Sequence, residues 1–141
     1  MTYAARTDVP VDRSRTEIEA TLKRYGAKSF AYFTEKGRAI VIFEAADRRV
    51  RFDLPLPEGT SAKEQQQQRS RWRALALCIK AKLESVESKI ETFEEAFLAH
   101  VMMPDGITVG QHTKPLIEQS YKSGDIPPLL PAPNQRKIGR E

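Results

Sequence analysis

Apolar positions recur along this chain with two different periods, and the changes of period mark out its elements. Ile18, Leu22 and Tyr25 are spaced as one face of a helix, predicted to start at Ser14. Ser14 with Glu17 reads as a capping box, and Gly26 supplies the stop. The period then shortens. Lys28–Thr34, Ala39–Glu44 and Arg48–Leu54 read as strands, with a hairpin turn at Glu35-Lys36-Gly37-Arg38. The second is a compact apolar run, suited to a central strand buried on both faces. In the third, Val50, Phe52 and Leu54 face one way while Arg49, Arg51 and Asp53 face the other. Such short connections exclude parallel crossovers, so an antiparallel meander is predicted. Pro55-Leu56-Pro57-Glu58-Gly59 ends it, since proline donates nothing to a ladder.

A long helix follows, opened by a second capping box of Ser61 with Glu64. Its early residues Gln65–Gln68 have no apolar face and are expected to project into solvent. From Trp72 the stripe Trp72, Leu75, Ala76, Ile79, Leu83, Val86 and Ile90 is continuous and should cover the sheet. Thr92 with Glu95 predicts a kink or restart, leading to a shorter stretch with Phe93, Phe97, Leu98 and Val101. Pro104-Asp105-Gly106 is a turn. Thr108 with Gln111 caps a last helix through Leu116, Ile117 and Tyr121 to Gly124, in which Pro115 demands a late start or a bend. The predicted organisation is a flexible arm over 1–13, one α+β domain over 14–124, and a Pro-rich basic extended tail over 125–141. Leu129 and Leu130 are the tail residues expected to lie across the domain.

The 141 residues suffice for one ordinary domain. No apolar run approaches the roughly 20 residues that span a bilayer, and Met1–Val9 lacks a signal-peptide core. Cys78 is the single cysteine, so no disulfide forms within the chain, and a cytoplasmic setting is expected. Cys78 lies beside the apolar stripe with Lys80 and Lys82 nearby, and is expected to be buried and inert. The net charge of +4 is a mild pointer to anionic partners, because 19 acidic residues are mixed among 23 basic ones.

Catalytic chemistry is sparse. His100 and His112 have no second ligand at metal-binding spacing, Glu94 and Glu95 point apart on a helix, and no Gly-rich phosphate loop follows a strand. A non-enzymatic protein without cofactor or metal is expected. An enzyme would require His100 or His112 in a pocket with Glu94, Glu95 or Asp105 in hydrogen-bond reach. The basic residues carry more. Arg69, Arg71 and Arg73 flank Trp72, and Arg73 shares a helix face with Arg69 and nearly with Lys80. Arg49 and Arg51 project from one face of the third strand. Should that face lie near the helix start, these six cations form a groove that binds phosphates. The alternative is a solvated rim of arginines whose stems cover apolar surface. Glu84, Glu87 and Glu91 dominate the far half of the helix, opposite to what the macrodipole favours. An interaction surface, or antiparallel pairing of two long helices in a homodimer, accounts for that order.

The order helix, three strands, helix resembles double-stranded-RNA-binding domains in topology. Two motifs depart: the first hairpin has Glu35-Lys36-Gly37-Arg38 in place of a proline- and histidine-containing loop, and Ser61–Gln68 offers only Lys63 in place of a lysine cluster. Arg24-Tyr25-Gly26-Ala27, Leu54-Pro55-Leu56-Pro57, Arg71-Trp72-Arg73-Ala74-Leu75, Ile79-Lys80-Ala81-Lys82-Leu83-Glu84, Thr92-Phe93-Glu94-Glu95 and Pro104-Asp105-Gly106 resemble small uncharacterised proteins of bacteriophages and prophages. That resemblance implies a bacterial cytoplasm and a task in phage DNA metabolism or host management, with no activity to carry over. The expectation is an accessory protein that contacts DNA or RNA through Arg49, Arg51, Arg69, Arg71, Arg73 and Lys80. The alternative is a protein-interaction module acting on a host protein.

Overall fold

The computed structural model describes residues 4–130. Three strands, β1 (Ser29–Glu35), β2 (Arg38–Ala45) and β3 (Arg48–Pro55), form an antiparallel sheet in the order β1-β2-β3. Glu35 pairs with Arg38 across a two-residue turn in which Gly37 has φ 85°. Ala45 pairs with Arg48 across Ala46 and Asp47, both in the left-handed region. The meander is therefore as the sequence predicts, and the domain is α+β. Ala39, Val41, Phe43 and Ala45 on β2 join Val50, Phe52 and Leu54 on β3 in one buried layer. Two helices cover it: α1 (Val11–Arg24) through Ile18 and Leu22, and α2 (Ala62–Glu87) through Trp72, Leu75, Ala76, Ile79 and Leu83. Trp72 is 1% exposed, a core anchor with its ring edge against Tyr32.

Four boundaries differ from expectation, each for a physical reason. α1 begins at Val11 with Pro10 at its N-cap, and no Ser14–Glu17 box forms. Val11 packs against the core seven residues before Ile18, so burial extends the helix by one turn past Ser14. Ser14 is fully buried instead. The residues before α1 belong to the packed structure from Ala4, which is buried. The glutamines of α2 do not project into solvent. Gln66 Nε2 donates to the carbonyls of Ala5 (3.2 Å) and Thr7 (2.9 Å), while Gln68 Nε2 donates to that of Pro57 (2.9 Å). They fasten both segments that pass the start of the helix. At its other end α2 stops at Glu87, and Lys89 turns left-handed at φ 63°, so Ile90 leaves the stripe and is 77% exposed.

The Thr92 capping box restarts the chain as α3 (Phe93–Phe97), followed by a 3-10 turn at Leu98–His100. Lys82 Nζ donates to the Ala96 carbonyl (2.9 Å), and Arg48 pairs with Glu94 (3.1 Å). Val101 pairs with Val50, and the Met102 N–H donates to the Arg49 carbonyl (2.8 Å), covering the start of the β3 edge. The last helix, α4 (Val109–Ser123), has the predicted Thr108–Gln111 box and ends on Gly124 in the left-handed region. It neither starts late nor excludes Pro115, which sits inside it and leaves the Gln111 carbonyl without its helical donor. Segment 131–141, most of the predicted tail, lies outside the described residues. Among the described residues no helix is long and apolar enough to cross a membrane.

Candidate functional site

The six predicted binding residues do not form one groove. Val50, Phe52 and Leu54 point to the layer that α2 covers, so Arg49 and Arg51 occupy the opposite face, and the sheet lies between them and the helix. Arg51 Nε donates to Asp53 (2.7 Å), and Arg49 pairs with Glu44 (3.6 Å). The helix residues diverge as well. Arg73 forms an ion pair with Glu17 of α1, and Arg69 donates to Gln66. Arg71, on the other side of Trp72, donates to the Pro55 carbonyl (2.9 Å). Lys80 is exposed. Three of the six thus face acids. The cations were legible in sequence, and so was Asp53 beside Arg51 on β3, whereas Glu44 and Glu17 come from β2 and α1.

Cys78 is exposed, not buried, because it lies outside the turn of α2 that meets the sheet. The apolar stripe of α2 is used up in the domain core, so it is not free to pair two such helices.

The two histidines have structural partners. His100 stacks on Phe52 with centroids 4.0 Å apart, and its Nδ1 donates to the Arg51 carbonyl at 3.2 Å. That bond fixes the hydrogen on Nδ1. Burial pushes its pKa down, against the smaller raising effect of the Arg51 carbonyl. His112 Nε2 lies 2.8 Å from Asp105 Oδ2. The Asp105 pKa is lowered, first by the hydrogen bond from the Ile107 N–H and next by His112. The pair meets the distance set above for an acid–base site, but its geometry is that of a staple. It ties the turn at Asp105 to the first turns of α4, alongside the bond from Ile107 N–H to Asp105 Oδ1 (3.0 Å). Among the described residues no cluster of three or more His, Cys, Asp or Glu side chains is arranged to hold a metal.

A different surface emerges at the C-terminal side. α4 buries only Gly110, where an added Cβ would lie 2.8 Å from the Ala99 carbonyl oxygen. This glycine lets α4 approach the 3-10 turn backbone to backbone, leaving the larger side chains of the helix outside the contact. An apolar cavity of about 760 Å³ opens beside it, lined by Leu98, Val101, Met103, Ile117, Leu129 and Leu130. Glu91, Glu94 and Glu95 rim it, with Lys82 as the opposing charge. Ile117 and Tyr121 belong to the apolar set that the sequence places along this last helix. They are 44% and 89% exposed.

The chain matches no protein-family model, no curated protein and no solved structure against which it was compared.

Proposed function

We propose that this protein is a protein-interaction module, and that its binding surface is the apolar groove between α3, the 3-10 turn, α4 and residues 126–130. One observation carries the reading. Among the described residues, seven of the ten large apolar side chains left exposed lie between Leu98 and Leu130, and four of them, Leu98, Ile117, Leu129 and Leu130, line this groove. Clustered exposure of that kind marks interaction surfaces, whereas scattered single residues do not. The acidic rim selects the partner: an apolar protein segment flanked by lysine or arginine. In the phage setting that the sequence motifs imply, the partner is a host protein.

The test uses a displayed library of short peptides, panned on the full chain and on a Leu98→Glu/Ile117→Glu variant. Apolar peptides with basic flanks, enriched on the first and absent from the second, are the expected outcome. Enrichment that is equal on both, or none at all, contradicts the reading.

Contact with nucleic acid is the second reading, favoured by Arg69 and Arg71, which bond neutral groups and keep their charge uncompensated. An anisotropy titration with DNA and RNA at two salt concentrations tests it. Binding weakened by salt and by Arg69→Glu with Arg71→Glu supports it; binding indifferent to that variant removes it.

A further inference from the structure

The two edges of the sheet are treated differently. The β3 edge is covered where Val101 and Met102 bond to it. Among the described residues β1 pairs only with β2, and six of its seven residues are exposed. Edge strands are ordinarily blunted by proline, a bulge, a central charge or a covering segment. The segment Ser29-Phe30-Ala31-Tyr32-Phe33-Thr34-Glu35 has no proline, no bulge in its pairing with β2, and no charge before its last residue.

The hairpin fixes which backbone groups are open. Glu35 and Arg38 close a two-residue turn and so exchange hydrogen bonds, and the same holds at every second pair: Phe33–Ile40, Ala31–Ile42 and Ser29–Glu44. The N–H and C=O groups of Phe30, Tyr32 and Thr34 therefore point away from β2, along the free edge. Tyr32 is held in place, since Arg15 Nη1 donates to its hydroxyl (2.6 Å) and the guanidinium lies over its ring. The edge is preorganised.

We infer that β1 pairs with β1 of a second copy of this chain, antiparallel about a two-fold axis at Tyr32, giving a continuous six-stranded sheet. A two-fold axis perpendicular to the sheet keeps the covered faces on one side, so only residues of like parity meet. In the register centred on Tyr32, Phe30 and Thr34 exchange backbone bonds with Thr34 and Phe30 of the other copy, and the two Tyr32 residues with each other. On the open face, Phe33, which is 55% exposed, lies over Ala31 of the other copy, large against small. Ser29 lies opposite Glu35, an uncharged donor against a carboxylate. Lys28 and Lys36 fall outside the paired span.

Sedimentation of the full chain over a concentration series tests this, alongside two variants that leave the bonds to β2 intact. Thr34→Pro deletes an edge N–H, and Ala31→Lys puts a long charged chain where Phe33 of the second copy would sit. The wild type is expected to reach twice its 16.0 kDa mass. Each variant should raise the dimer Kd about tenfold or more, Thr34→Pro through loss of two symmetric hydrogen bonds and Ala31→Lys through the charge and bulk it sets against Phe33 of the second copy. Circular dichroism checks that both variants fold. Cysteines at Ala31 and Phe33, with Cys78→Ser, should form a disulfide-linked dimer, because these positions face each other as a non-hydrogen-bonded pair. A wild type that stays monomeric at millimolar concentration overturns the inference. So does a dimer that neither variant weakens.

Discussion

The chain up to Glu87 and the chain beyond it put their apolar side chains to different ends. Before Ser88 the strands and two helices bury fifteen of the nineteen buried apolar residues among those described, Ala4 adds one more, and α1 and α2 share one covered face of the sheet. After it, among the described residues, only Ala96, Phe97 and Val101 join them. α4 is capped at both ends and runs on through Pro115, yet the one residue it buries is a glycine. The difference teaches that helix formation and helix burial are separate. Capping boxes and a left-handed glycine define α4 locally, while its apolar face has no second layer to meet. What the first region uses to hold itself together, the second leaves available.

The predictions that break or sharpen this contrast run from large to small. Trp72→Ala should cost about 3–5 kcal/mol and unfold the domain as a unit, read by urea denaturation. A loss under about 1 kcal/mol would mean that the sheet layer is not the main core. Gly110→Ala forces a Cβ against the Ala99 carbonyl and should cost about 1–3 kcal/mol. That loss should stay local, so α4 amides exchange faster while those of α2 do not; equal acceleration in both would erase the boundary. Gln66→Ala removes two bonds to the segment before α1, at roughly 0.5–1.5 kcal/mol each. Limited proteolysis near Ala5–Thr7 should rise with little change in the denaturation midpoint.

The smallest effect is a pH dependence. His100 has its folded pKa lowered by burial, so below its ordinary value near 6.5 the unfolded chain takes up a proton that the folded chain resists. Stability is therefore full above that pH and is lost as pH falls toward the folded pKa. His100→Phe should flatten this part of the profile, and an unchanged slope would show that other groups set it.

Much of the fold was legible because its signals are local. The strand register follows from alternation in Arg48–Leu54 and from the short turns, and three capping boxes were readable from residues three apart. Ser14 misled because capping chemistry and a small buried residue look alike until the stripe is extended back to Val11. The glutamines of α2 misled because their partners are carbonyls distant in sequence. The arginine surface failed for the same reason. Arg49 and Arg73 were visible, but Glu44 and Glu17 become their partners only once strands and helices are assembled, whereas Asp53 stands two residues from Arg51 on the same strand face. The apolar groove was not legible because it is assembled from segments apart in sequence, with Leu98, Ile117 and Leu129 brought together only in the fold.

The claim that the C-terminal region is carried by the domain, with its apolar side chains left for a partner, is tested most directly by native-state hydrogen exchange resolved by residue. Amides of Trp72–Leu83 are predicted to exchange only through global unfolding. Those of the second half of α4, Leu116–Ser123, should open sub-globally, at a free energy lower by about 2 kcal/mol or more and with a smaller denaturant dependence. One shared opening free energy and one denaturant slope for both helices would contradict the account.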